Sequence, residues 1–113
     1  MIFLMNLIYE LKKDSMRKVI ISNKVLQLIE QLEHYLVDEL NLSEEAALYR
    51  SSRMRVFVAS LRSPVDYALC RFKRWRLLGY RCAVFEKIWV FAYEIFNGGV
   101  IVREMSHVSG LKE

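Results

Sequence analysis

Four side chains in the last third of the chain, Arg81, Glu94, Arg103 and His107, are of the types that metal-free phosphodiester cleavage requires. Such cleavage needs a base to activate a 2′-hydroxyl, cations to stabilise the phosphorane and an acid for the leaving 5′-oxygen. Arg81 with Arg103 could hold the phosphate. Glu94 or His107 could move the protons, imidazole being suited to neutral pH. A second group precedes them in Cys70-Arg71-Phe72-Lys73-Arg74-Trp75-Arg76. Lys73, Arg74 and Arg76, together with Arg81, form a candidate nucleic-acid-binding set, because cations meet phosphates while the interleaved rings can stack on unpaired bases. Each group also has a plainer reading. Arg81, Glu94 and Arg103 could form a surface ion cluster worth little energetically, His107 could be structural, and the aromatics, Phe72 first, could anchor the connection on the core.

The elements that must position these groups lie between Gly79 and Val108. Three runs rich in Val, Ile, Phe, Tyr and Trp are separated by Glu86-Lys87 and by Asn97-Gly98. The pattern predicts a three-stranded antiparallel meander over about 80–85, 88–96 and 99–108. With two-residue loops at both turns, Val84 faces Trp89 and Ile95 faces Val100. Side-chain alternation then collects Tyr80, Cys82, Val84, Trp89, Phe91, Tyr93, Ile95, Val100 and Val102 on a core face. The opposite face carries Arg81, Ala83, Phe85, Ile88, Val90, Ala92, Glu94, Ile101, Arg103, Met105 and His107. In that register Arg81 and Arg103 flank the small Ala92, which leaves room for a phosphate.

Upstream, Lys18 to Ile21 reads as a short strand. Ser22 or Asn23 can cap a helix whose Val25, Leu28, Ile29, Leu32, Tyr35, Leu36 and Leu40 recur at spacings of three and four. Ser43 caps a second helix with Ala47, Met54, Phe57, Val58 and Leu61 on its buried side, ended by Pro64. So short a connection makes the pair an antiparallel hairpin. The predicted fold is therefore α+β, a helical hairpin packed on one face of a small antiparallel β-sheet.

Charge is divided along the chain. Residues 25–49 hold six acids and no Lys or Arg, whereas residues 50–81 hold nine bases against Asp66 alone, within a net charge of +4. Such a basic segment points to a polyanionic or acidic partner. The chain's 113 residues, 54% hydrophobic and 27% charged, suit one folded domain. The apolar start, residues 1–15, is too short to span a bilayer and lacks the marks of a secretory signal. It reads as an appendage to a domain over residues 16–113, and no membrane association is expected. Cys70 and Cys82 show no metal-ligand spacing, so neither a metal site nor a disulfide framework is expected. Cys82 reads as a small buried hydrophobe, and both thiols suit a reducing cytoplasm.

The order strand, helical hairpin, basic connection, Leu78-Gly79-Tyr80-Arg81, Trp89 to Ile95 and Val100 to His107 resembles the RelE/ParE family of toxins from type II toxin–antitoxin systems. The resemblance covers about residues 17–110. It implies a cytoplasmic toxin without cofactor, neutralised by a cognate antitoxin in a hetero-oligomer. Two activities are implied: ribosome-dependent, metal-independent mRNA cleavage, or inhibition of DNA gyrase. In the nuclease branch Lys73, Arg74 and Arg76 match the family's basic group, Arg81 its strand arginine and His107 its frequent C-terminal histidine. After His107 the chain continues Val108-Ser109-Gly110-Leu111, without the Arg and terminal Tyr of that branch. A third reading is a catalytically degenerate member that only binds an antitoxin and helps repress its own operon.

Overall fold

The computed structural model describes residues 16–111, so the appendage at residues 1–15 lies outside the described residues. Strand β1 (Lys18–Ile21) leads into helix α1 (Asn23–Asp38), then helix α2 (Glu44–Ala59) with a 3₁₀ turn over Ser60–Arg62. A five-residue helix α3 (Lys73–Leu77) precedes strands β2 (Arg81–Phe85), β3 (Trp89–Phe96) and β4 (Gly99–His107). The fold is α+β, with the helical hairpin on one face of the sheet.

Local chemistry sets the helix limits. The Ser22 and Ser43 hydroxyls accept from the backbone N–H groups of Val25 and Ala46, capping α1 and α2. Asn41, at φ 57, takes the left-handed conformation as the chain turns out of α1. The hairpin buries Val25, Ile29, Leu36, Ala47, Met54 and Val58. Leu48, Tyr49 and Val56 of α2 are left exposed, so this helix carries apolar residues on both its sides.

The strands pair in the order β1-β4-β3-β2. The meander is antiparallel as expected, but β1 adds beside β4 in parallel, which makes the sheet mixed. Gly99 permits this approach, since a Cβ there would lie 2.2 Å from the Lys18 carbonyl oxygen. The Asn97-Gly98 turn pairs Ile95 with Val100 as predicted, with Gly98 at φ +102.

Two departures reassign the faces. Glu86 and Lys87 both adopt positive φ, and Phe85 rather than Val84 pairs with Trp89. Strand β2 is thereby turned over relative to the predicted register. Ala83 and Phe85 join Trp89, Phe91 and Tyr93 beneath the helices, while Cys82 and Val84 lie on the far face opposite Ala92 and Val90. The second departure is a bulge. Tyr93 pairs with Val102 and Ala92 with Glu104, so Arg103 is the extra residue. Beyond it the alternation reverses, which sends Met105 into the helix-side core and places His107 opposite Trp89.

The far face has its own small core of Cys70, Trp75, Val90 and Ala92, with Phe72, Tyr80, Cys82 and Leu111 packed around it. Trp75 is the deeper anchor of the connection, buried where Phe72 is only half-buried and meets its ring edge-on at 5.2 Å. Cys70 and Cys82 are joined by a disulfide bond, contrary to the expectation of free thiols. The turned-over β2 explains the pairing. It moves the Cys82 side chain to the face on which residues 68–70 run antiparallel to the start of β2.

Candidate functional site

The basic connection is organised by that small core. The stretch between the two cysteines has no acid, and ahead of Arg81 it carries Arg71, Lys73, Arg74 and Arg76. All four are exposed around the buried Trp75, and the Arg74 guanidinium stands 5.9 Å from the centre of the Phe72 ring. Leu77 and Leu78 are exposed beside them, giving a surface of mixed cationic and apolar character.

Arg81 sits on the opposite side of the sheet from the position expected. It pairs with Tyr93, and its Nη1 donates to the Tyr67 carbonyl oxygen at 2.7 Å. This contact belongs to a polar network absent from the sequence reading. The fully buried Tyr93 donates its hydroxyl proton to Asp66 Oδ1 at 3.1 Å and accepts from the Tyr67 N–H at 3.0 Å. Arg17 donates to the same Asp66 oxygen at 2.6 Å and to the Leu61 carbonyl at 2.9 Å. Hydrogen bonding to Arg17 holds the Asp66 carboxyl below its ordinary range, against the opposing effect of burial. The bond to Asp66 raises Arg17 in turn. Burial pushes the Tyr93 phenol up. Two signals pointed toward this network: Asp66 is the lone acid of residues 50–81, and a tyrosine on a core strand needs a partner for its hydroxyl.

Glu94 and Arg103 do meet, with Arg103 Nε 3.0 Å from Glu94 Oε2. Alternation places Glu94 on the face opposite Tyr93 and Arg81. His107 lies elsewhere. Its partner Trp89 is five positions from Glu94 along β3, roughly 17 Å at strand rise. Its Nδ1 accepts from the Ser109 N–H at 3.1 Å, capping the final 3₁₀ turn, and its ring meets Trp89 edge-on at 5.3 Å. His107 and Trp89 border a groove of about 690 Å³ that also takes in Leu32, Tyr35, Leu36 and Arg53. The four predicted catalytic residues are therefore not brought to one place. Nor does Ala92 leave room for a phosphate: it is fully buried and packed in the small core with Cys70 and Trp75.

Among the described residues no group of three or more His, Cys, Asp or Glu is placed to hold a metal ion, and no helix is long and apolar enough to cross a membrane. Comparison with protein-family models, with curated proteins and with solved structures found no match.

Proposed function

We propose that the chain is a RelE/ParE-type toxin of a type II toxin–antitoxin system, neutralised by a cognate antitoxin. Its order of elements supports the reading: a first strand, a helical hairpin, a basic connection and a three-stranded meander ending at a histidine. Between the two activities, the observation that carries our preference is the scatter of the cleavage residues. Arg103 is bonded to Glu94 on one face, Arg81 to the Tyr67 carbonyl on the other, and His107 caps a turn at the far end of the sheet. Concerted proton transfer needs its groups within hydrogen-bond reach of one reacting phosphate. The arrangement favours a toxin that works by docking on a protein, as gyrase inhibitors do, over one that cuts mRNA.

Induced expression of the full chain, followed by growth, translation and plasmid supercoiling assays, tests this. Growth arrest with lost supercoiling and early translation intact is the expected result. Rapid translation arrest with cut mRNA would establish the nuclease instead. Normal growth would leave the degenerate, antitoxin-binding member.

A further inference from the structure

We propose that Cys70–Cys82 is a thiol-exchange site, and that opening it releases the basic segment Arg71–Arg76 from the far face of the sheet. The proposal does not depend on the toxin reading. It begins with the position of the bond. The two cysteines are the only ones in the chain, and they close the neck of a loop that contains Arg71, Lys73, Arg74 and Arg76 and ends at Arg81. Two backbone hydrogen bonds, Cys70 N–H to the Tyr80 carbonyl and Cys82 N–H to the Ala68 carbonyl, share that neck. Beyond it, the main apolar holds on the loop are Trp75, with Phe72 and Tyr80 half-buried around it. A five-residue helix has little stability of its own. Its own sequence, Lys73 to Leu77, holds three cations and no acid.

The bond can be reached from outside. Cys70 is almost fully buried, but Cys82 is half-buried and lines a surface groove of about 310 Å³ with Leu69, Arg71, Phe72 and Val84. Cys82, not the buried Cys70, is the cysteine that lines this groove, so an entering thiolate is expected to reach Cys82, and Arg71 at the wall attracts its negative charge. For a dithiol reductant the exchange balances in two steps. The first thiolate attacks Cys82 Sγ, a mixed disulfide forms, and Cys70 leaves as a thiolate that takes a proton. The second thiol of the reductant, as thiolate, then attacks its own sulfur in the mixed disulfide and Cys82 leaves. Two electrons and two protons pass to the protein, and the reductant ends as its cyclic disulfide.

The test uses the full oxidised chain in native buffer with dithiothreitol, followed by thiol alkylation, mass spectrometry and limited trypsin digestion. Reduction should proceed without denaturant. Cleavage after Arg71, Lys73, Arg74 and Arg76 should then rise about tenfold or more relative to cleavage at Arg50 and Lys87, because proteolysis follows the population of the locally open form. Circular dichroism should keep its folded shape. With glutathione, a monothiol, the trapped adduct should map to Cys82. A Cys70→Ser/Cys82→Ser chain should be cut like the reduced protein whether or not dithiol is present. A bond that yields only in denaturant, an unchanged cleavage ratio after reduction, or global unfolding on reduction would each overturn the proposal. So would an adduct on Cys70.

Discussion

Removing the Tyr93 hydroxyl by Tyr93→Phe is the most direct probe of how the connection after α2 is fastened to the sheet. The ring is fully buried, and its oxygen both donates to Asp66 and accepts from the Tyr67 N–H. A hydrogen bond to a charged group contributes about 1.5–3 kcal/mol, and a neutral one about 1 kcal/mol. Both partners can recover part of this from water, since Asp66 and Tyr67 lie at the surface. A net loss of about 1.5–2 kcal/mol is therefore expected, below the roughly 2.5–4 kcal/mol that the two bonds sum to. For a chain of this length each kcal/mol moves the thermal midpoint by about 4 °C, so the variant should melt about 6–8 °C below wild type. Thermal melts followed by circular dichroism at neutral pH read this directly. The aromatic core is unchanged by the substitution, so a midpoint within about 2 °C of wild type would show that the network contributes little and that the connection is held by apolar contact alone.

The Asp66 carboxyl is depressed in the fold, so its contribution is present above the ordinary carboxylate pKa and is lost as pH falls through the folded value. Asp66→Asn should therefore cost stability at pH 6 and show a shallower acid decline below about pH 4, measured by urea titration at each pH. Gly99→Ala should destabilise by about 1–3 kcal/mol through the clash with the Lys18 carbonyl, and hydrogen exchange should show the loss concentrated in β1. Trp89→Ala should cost about 2–3 kcal/mol in denaturant unfolding, below the cost for a fully buried ring, because Trp89 is only half-buried. Opening the twelve-residue separation of Cys70 and Cys82 should remove about 3 kcal/mol of loop-closure stabilisation, read as a lower urea midpoint under reducing conditions.

The helices were easy to read because their signals are local. Ser22 and Ser43 stand where caps belong, and the apolar spacing behind each is helical. The sheet was harder. Asn97-Gly98 announces its turn, and the register it sets was correct. Glu86-Lys87 contains no glycine, yet both residues take positive φ, and nothing in their identity reveals that Phe85 will pair with Trp89. The bulge at Arg103 is equally silent, since it shows only as a change in which residues are buried after it. Each slip turns a run of side chains over, and together they account for most of the misplaced residues: Arg81, Cys82 and His107 all changed face. The disulfide follows from the first slip, because with Cys82 beneath the helices it could not have met Cys70 on the far face. The Arg17–Asp66–Tyr93 network joins three segments distant in sequence, and only the finished fold brings them together.

The pairing of Lys18 with Gly99 also orders events during synthesis. Strand β1 leaves the ribosome 81 residues before β4, its neighbour among the described residues. At about 5–20 residues per second, β1 waits roughly 4–16 s for that neighbour. The helical hairpin can form meanwhile, but the apolar face it will share with Phe91, Tyr93 and Val100 does not yet exist. Among the described residues β4 is both the last strand made and the one between β1 and β3, so the sheet is incomplete until β4 emerges. Whatever this protein does with that sheet, it can do only once β4 has left the ribosome.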